Sequence, residues 1–98
     1  MSTALIKTFA DAETRRFWET GKSRRRPPSS LREVTQRRLQ MLHAAMDLND
    51  LRSPPGNRLE RLHGDRAGQH SIRINDQFRI CFVWKDGNAF GVEITDYH

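Results

Sequence analysis

The side chains best suited to acid–base chemistry lie in the second half of the chain. His63 precedes two hydrophobic runs, Arg79 lies within the second run, and Asp96, Tyr97 and His98 close the sequence. An imidazole with an ordinary pKa of about 6.5 accepts or donates a proton at neutral pH, whereas a phenol with a pKa of about 10 favours donation. A fixed guanidinium stabilises developing negative charge. Metal-free RNA cleavage by 2′-hydroxyl attack needs these residue types.

Other reaction classes lack their motifs. The sequence has no Gly-rich phosphate loop, Cys-x-x-Cys pair, His-Glu-x-x-His helix or Gly-x-Ser-x-Gly elbow. The single Cys81 and the scattered histidines give no zinc-binding spacing, so no metal or cofactor is predicted. His70 is interpreted as a packing or edge residue because it falls on the apolar side of its strand. His43 lies off the apolar stripe of its helix and is expected to be exposed.

Composition indicates a small basic protein with a polyanionic partner. The chain has 98 residues, a formal net charge of +5 and a pI near 10.3, and we expect residues 1–98 to form one domain. Excess arginine favours phosphate, but charge alone leaves DNA, RNA, the ribosome and an acidic protein open. The sequence has no signal-like or membrane-spanning apolar stretch. The lone Cys81 is expected to be a buried free thiol. Both observations predict a cytoplasmic protein.

The first half of the chain predicts one strand and two helices. Residues 4–9 are typical of a short opening strand. Asp11 is expected to cap a helix over residues 12–19 that ends at Gly21. Residues 22–28 contain four basic side chains and two prolines, and are interpreted as a solvated linker rather than a phosphate contact.

A second helix is predicted from a capping box and an apolar stripe. Ser30 and Glu33 have the spacing of the box, and apolar residues then recur at helical intervals to about Met46 or Leu48. The prolines and glycine of residues 53–57 interrupt the chain after that helix.

Three strands joined by tight turns are predicted for the remainder. Alternation indicates strands over residues 69–74, 78–84 and 89–97, with Asp-Gly in the last turn. We expect Phe90, Val92 and Ile94 to point into the core. The opposite face should carry mainly polar residues: Ser71, Arg73, Arg79, Cys81, Val83, Glu93, Thr95 and Tyr97. The prediction is a small α+β domain in the order β-α-α-β-β-β, with two helices packed on an antiparallel sheet.

These segments resemble a known family. The sequence is similar to the HigB-like toxins of the RelE/ParE superfamily, the killer proteins of bacterial toxin–antitoxin pairs. The resemblance covers most of the chain and is densest after residue 54. It is carried by the segments PPGNRLE, LHGDR, GQHSIRIN and FRICF, and by the closing VEITDYH.

The resemblance implies a function and roles for residues. It implies a ribosome-dependent mRNA endonuclease that needs no metal and is inhibited by a helix-turn-helix, HigA-like antitoxin, which also represses the shared operon. Arg79 matches the strand arginine that contacts the scissile phosphate. The closing Asp96, Tyr97 and His98 match the group that positions the substrate or exchanges protons with it. Two further arginines, Arg66 and Arg73, are assigned as RNA contacts.

Two positions depart from the family pattern. His63 replaces a usual lysine before Gly-Asp, and Glu60 stands where some ribonuclease members carry histidine. We therefore expect His63 to exchange protons and RNA cleavage to be weaker. Two other functions stay open at this point. One is a toxin of the same fold that acts on DNA gyrase or ribosome assembly, and the other is a plain nucleic-acid-binding module.

Overall fold

The first helix begins and ends where the sequence predicts. The structure is a computed structural model that describes residues 5–97. Helix α1 spans Ala12–Thr20, and the carboxylate of Asp11 accepts a hydrogen bond from the Thr14 amide at 2.7 Å. Gly21 ends the helix in the left-handed region, at φ +75°, and donates its N–H to the Phe17 carbonyl.

The second helix begins without the predicted capping box. Helix α2 spans Arg32–Ala44 and follows a 3-10 turn over Ser29–Leu31. Leu31 occupies the N-cap position, and no side chain in the described range caps the helix there. The prediction was wrong because Ser30 lies inside the 3-10 turn, whereas a capping serine needs the extended backbone just before the first helical residue.

Helix α2 also ends earlier than predicted. Ala45 is extended, so the helix stops before Met46. The carboxylate of Asp50 accepts hydrogen bonds from the amides of Met46 and Asp47 at 3.0 and 3.2 Å. These bonds turn the chain into a 3-10 helix over Leu48–Arg52.

A four-stranded antiparallel sheet follows, with strand order β1-β2-β3-β4. The strands are β1 Glu60–Arg61, β2 His70–Arg73, β3 Phe78–Lys85 and β4 Asn88–Asp96. The three predicted strands are confirmed, and no bound differs by more than one residue. Strand β1 was missed because two residues are too few to show alternation. The Asp86-Gly87 turn has positive φ at both residues, as its hairpin geometry requires.

The predicted opening strand is replaced by two isolated parallel bridges to β4. Ile6 pairs with Ala89 and Phe9 with Val92. Between these bridges β4 carries an irregularity at Gly91, where φ is +58°, and the Gly91 amide donates to the hydroxyl of Thr8. A continuous ladder cannot form across that irregularity, so the order within residues 5–97 is α-α-β-β-β-β rather than β-α-α-β-β-β.

The core lies between the helices and one face of the sheet. Within residues 5–97 no helix is long and apolar enough to cross a membrane. Val92 and Ile94 are buried as predicted, whereas Phe90 pairs with Val83 beyond the irregularity and therefore lies on the other face. The fully buried residues of the core cluster are Phe17, Leu39, Leu42, Ile72, Ile80, Phe82, Ala89, Val92 and Ile94.

Candidate active site

Arg79 is fixed on the sheet face opposite the helices. Its Nε donates to the hydroxyl of Ser71 at 2.7 Å, and its Nη2 donates to the carbonyl of Arg58 at 2.7 Å. The same Nη2 lies 3.6 Å from the Glu60 carboxylate, and only 11% of the Arg79 side-chain surface is exposed. Within residues 5–97, Nη1 has no hydrogen-bond partner, so this edge of the guanidinium is left for an anion.

The backbone at Arg58 contributes to this arrangement. Arg58 follows the 3-10 turn Pro55–Asn57 and adopts a left-handed conformation with φ +44°. A residue with a side chain occupies that region at a cost of about 1–2 kcal/mol. The left-handed turn presents the carbonyl that accepts from Arg79, so local strain coincides with the positioning of the guanidinium.

Arg66 lies on the same side of the molecule, paired with a carboxylate on β4. Its Nη1 is 3.2 Å from Glu93 Oε1 and 3.0 Å from Gln69 Oε1, and its Nη2 is 3.5 Å from Glu93 Oε2. The hydrogen bond to Glu93 raises the pKa of the Arg66 guanidinium despite partial burial. Arg66 is therefore a permanent charge whose orientation depends on Glu93.

A row of three residues across the sheet connects these two arginines. Ser71, Cys81 and Glu93 are register partners across β2, β3 and β4, and two strand spacings separate the ends of the row by about 10 Å. Ser71 and Cys81 are completely buried, although this face was predicted to carry mainly polar residues. Burial raises the pKa of the Cys81 thiol, so the thiol is neutral at physiological pH and acts as a spacer.

Arg73 is adjacent to Arg79 but is oriented differently. The two residues are direct register partners on β2 and β3. A guanidinium hydrogen bond from Arg73 to Asp76 draws its side chain toward the β2–β3 turn. Because Asp76 is almost fully exposed, this ion pair is weak and leaves Arg73 available to a phosphate.

Two of the closing residues, Asp96 and Tyr97, lie on different faces of the sheet. Tyr97 follows Thr95, the register partner of Arg79, by two residues, and its side chain is 43% exposed. Asp96 pairs with Phe78, on the other side of the strand, and accepts a hydrogen bond from Gln77 at 3.1 Å. Tyr97 therefore shares the register side of Arg79, whereas Asp96 does not.

The two histidines of the predicted set are placed unequally. His63 is exposed and directly precedes the 3-10 turn Gly64–Arg66, which carries Arg66. His98 lies outside the described residues. Across residues 5–97 no cluster of three or more His, Cys, Asp or Glu side chains could hold a metal ion.

Sequence reasoning did not predict the residues that hold the arginines. Ser71 and Glu93 were placed on the correct face by alternation, but their pairing with Arg79 and Arg66 depends on strand register. Glu60 belongs to a strand too short to be recognised and Arg58 precedes that strand, so the sequence carried no signal for their contacts with Arg79.

The fold is shared with solved toxin–antitoxin structures. It is similar to a chain of the YoeB-YefM complex from Staphylococcus aureus, with a TM-score of 0.59, 15% sequence identity and 99% coverage of both chains. A heterotetrameric YoeB-YefM complex from the same organism gives a TM-score of 0.56 at 16% identity, again with 99% coverage of both chains. At this identity the similarity establishes the fold alone, which is that of a small α+β domain.

The family follows from sequence similarity. Residues 7–98 match the RelE-like toxin of type II toxin-antitoxin system HigB, and the chain belongs to this HigB-like toxin family. It is 46% identical over 89 residues to Toxin HigB-1 from Vibrio cholerae, covering 91% of this chain and 94% of that protein. It is 29% identical over 94 residues to Endoribonuclease HigB from Proteus vulgaris, covering 96% of this chain and 100% of that protein.

Proposed function

We propose that this toxin is a ribosome-dependent endoribonuclease that cleaves mRNA by metal-free attack of a 2′-hydroxyl on the adjacent phosphorus. The observation that carries the proposal is the guanidinium of Arg79, which is held by Ser71 and Arg58 and whose Nη1 has no hydrogen-bond partner among residues 5–97. A preorganised cation of this kind stabilises charge that develops on phosphate oxygens in the transition state. The relative named Endoribonuclease HigB supports the same reaction class.

The remaining site residues then have distinct roles. Arg66 and Arg73 contact neighbouring phosphates and fix the RNA strand across the face of the sheet. Tyr97 has an exposed phenol on the Arg79 side and donates a proton to the leaving 5′-oxygen or orients the substrate. His63 and His98 exchange protons with the reacting groups, and Asp96 orients the closing segment through Gln77.

We also propose the partners and the location. A HigA-like helix-turn-helix antitoxin neutralises the toxin and brings it to operator DNA. The substrate is mRNA in the decoding site of the ribosome, so the toxin acts in the cytoplasm. No cofactor is needed, because general acid–base groups and fixed cations supply the chemistry.

The decisive experiment compares two arginine substitutions on opposite faces of the sheet. Arg79→Ala should lower the rate of cleavage in a translating extract by about 10²–10³-fold, the usual loss when one oxyanion donor is removed. Arg61→Ala is the matched control, because Arg61 pairs with His70 in register, on the side away from Arg79. New mRNA ends, mapped by primer extension, should appear in codon phase with the parent and the control.

Other outcomes distinguish the remaining functions. Cleavage of naked RNA at the same rate would remove ribosome dependence while keeping the nuclease. Growth arrest with intact messages and altered DNA supercoiling would identify gyrase as the target instead. Cleavage that survives Arg79→Ala unchanged would refute the proposed mechanism.

A further inference from the structure

The basic segment Lys22–Pro28 is folded against α1. The Glu13 carboxylate accepts hydrogen bonds from the amides of Arg25 and Arg26 at 2.9 and 3.0 Å. The Arg26 guanidinium lies 3.5 Å from both Glu13 and Asp11. Burial opposes ionisation of Glu13, but the two backbone hydrogen bonds and Arg26 outweigh it and lower its pKa. The segment therefore has a defined conformation rather than that of a free linker.

A second anchor holds the same segment to α2. Arg32 donates from Nη2 to the Ser23 carbonyl at 2.8 Å and from Nε to the Ser23 hydroxyl at 3.1 Å. Two arginines, Arg26 and Arg32, are thus used to fix the backbone. The other basic residues of the segment, Lys22, Arg24 and Arg25, form no ion pair with another of residues 5–97.

These unpaired charges line an open cleft between α1 and the segment. The cleft has a volume of about 650 Å³ and contains four cations: Arg16, Lys22, Arg24 and Arg25. Arg16, on α1, also lacks an ion pair within the described part of the chain. Among the described residues, Glu13 is the one acidic residue that lines the cleft, and its carboxylate already accepts hydrogen bonds from the amides of Arg25 and Arg26.

We propose that this cleft, lined by Arg16, Lys22, Arg24 and Arg25, is a second nucleic-acid contact that grips a phosphodiester backbone independently of sequence. Four cations that form no ion pair with any of residues 5–97 attract a polyanion through release of its counterions. Guanidinium groups match the geometry of phosphate oxygens.

The chemistry of the lining favours a nucleic acid over a protein partner. Protein interfaces have apolar centres with aromatic anchors. The uncharged lining residues of this cleft are Ala12, Thr20 and Ser23, and none of them supplies such an anchor. Phosphate contacts need only cations and small donors.

The cleft is separate from the candidate active site. It is built from α1 and the segment after it, and α1 packs on the core face through Phe17. Arg79 lies on the opposite face of the sheet, so the two sites are separate surfaces. The inference goes beyond the proposed function and stands whether or not Arg79 supports cleavage.

Binding across a salt series tests the proposal. The test variant combines Arg16→Gln, Lys22→Gln, Arg24→Gln and Arg25→Gln, and Arg26 is kept because it anchors the segment. The probes are a single-stranded RNA, an RNA duplex and a DNA duplex of one sequence, each followed by fluorescence anisotropy. For duplex DNA the slope of log K against log salt should decrease in magnitude by about 0.9 for each phosphate that the variant no longer neutralises, or about 3–4 in total.

A second variant with the same change in net charge separates a site from a general charge effect. It combines Arg37→Gln, Arg52→Gln, Arg61→Gln and Lys85→Gln, which lie outside the cleft. Thermal unfolding verifies that both variants are folded. The proposal predicts that affinity falls strongly in the cleft variant and little in the control, with the RNA and DNA probes reporting which backbone is preferred.

Two results would overturn the inference. Equal decreases in affinity in the two variants would mean that net charge alone drives binding. If binding of polyglutamate depended on the cleft while binding of the three nucleic acids did not, the surface would instead be a contact for an acidic protein. The cleavage assay with Arg79→Ala is scored separately, so failure of one proposal does not imply failure of the other.

Discussion

Ser71 and Arg79 form a hydrogen bond in which a fully buried hydroxyl fixes the orientation of a nearly buried guanidinium. The distance from Arg79 Nε to Ser71 Oγ is 2.7 Å, and Ser71 is 0% exposed. The residues lie on neighbouring strands but are not direct register partners, because Ser71 pairs with Cys81. The bond therefore runs diagonally between the two strands. It holds one side of the guanidinium against the sheet, and the other side of the guanidinium faces solvent.

Removal of this hydroxyl should weaken both folding and catalysis. Ser71→Ala leaves Arg79 Nε without its partner, and removing a hydrogen bond to a charged group costs about 1.5–3 kcal/mol. We expect cleavage to fall about tenfold because the bond to Arg58 and the Glu60 ion pair still restrain the guanidinium. Urea unfolding and the cleavage rate measure the two effects, with Ser30→Ala, at an exposed position, as the control. An unchanged rate would show that Ser71 has no role in positioning Arg79.

The departure from the family pattern at position 63 gives a second prediction. His63→Lys replaces an exposed imidazole with a permanent charge beside the turn that carries Arg66. We expect the variant to cleave at least as well as the parent, because the permanent charge attracts phosphate while Tyr97 and His98 still exchange protons. His63→Ala provides the control that removes both charge and proton transfer. Cleavage rates are measured from pH 6 to 8, which is about the range in which an imidazole changes its protonation state. A large decrease in rate for the lysine variant would show that imidazole chemistry is indispensable.

Backbone conformation at β4 gives a prediction about stability. Gly91 has φ +58°, and a Cβ built there meets no heavy atom within 4 Å. Gly91→Ala should therefore destabilise the fold by about 1–2 kcal/mol through backbone strain alone, without a steric clash. Gly56→Ala is the matched control, because Gly56 also has open space but no positive φ. Equal unfolding free energies for the two variants, measured in urea, would contradict this account of the irregularity.

Sequence patterns predicted the helices and the long strands because these features depend on local periodicity. The cap at Asp11, the end at Gly21 and the buried Val92 were all confirmed. The parts that failed depend on contacts between distant residues. The opening strand and the inward side of Phe90 both depend on the irregularity at Gly91, and glycine in a strand does not by itself specify where register shifts.

The site could be predicted only in part for the same reason. Residue type and resemblance identified Arg79 as a site residue. Alternation predicted that it lies on the face of the sheet away from the core. Its anchors require the register of β2 and β3 and the left-handed turn at Arg58, which no local pattern encodes. The basic segment was interpreted as a solvated linker because its charge was visible in the sequence. The sequence did not reveal that Glu13, which precedes Arg25 by 12 positions, anchors this segment.

His70 should make folding stability depend on pH below about 6.5. Its ring stacks on Phe82 with centroids 6.2 Å apart, and its buried Nδ1 has no hydrogen-bond partner within residues 5–97. Burial, with a smaller contribution from Arg61, lowers the His70 pKa below the ordinary value of 6.5. Between the two values the unfolded chain binds more protons than the folded chain, so stability falls as the pH drops from 6.5 toward the folded pKa. His70→Phe, which keeps an aromatic ring against Phe82, should flatten this part of a urea-unfolding pH profile. The profiles of the parent and of His70→Phe are compared between pH 5 and 7, roughly the range in which histidine titrates. Parallel profiles would exclude His70 as the source of the pH dependence of stability.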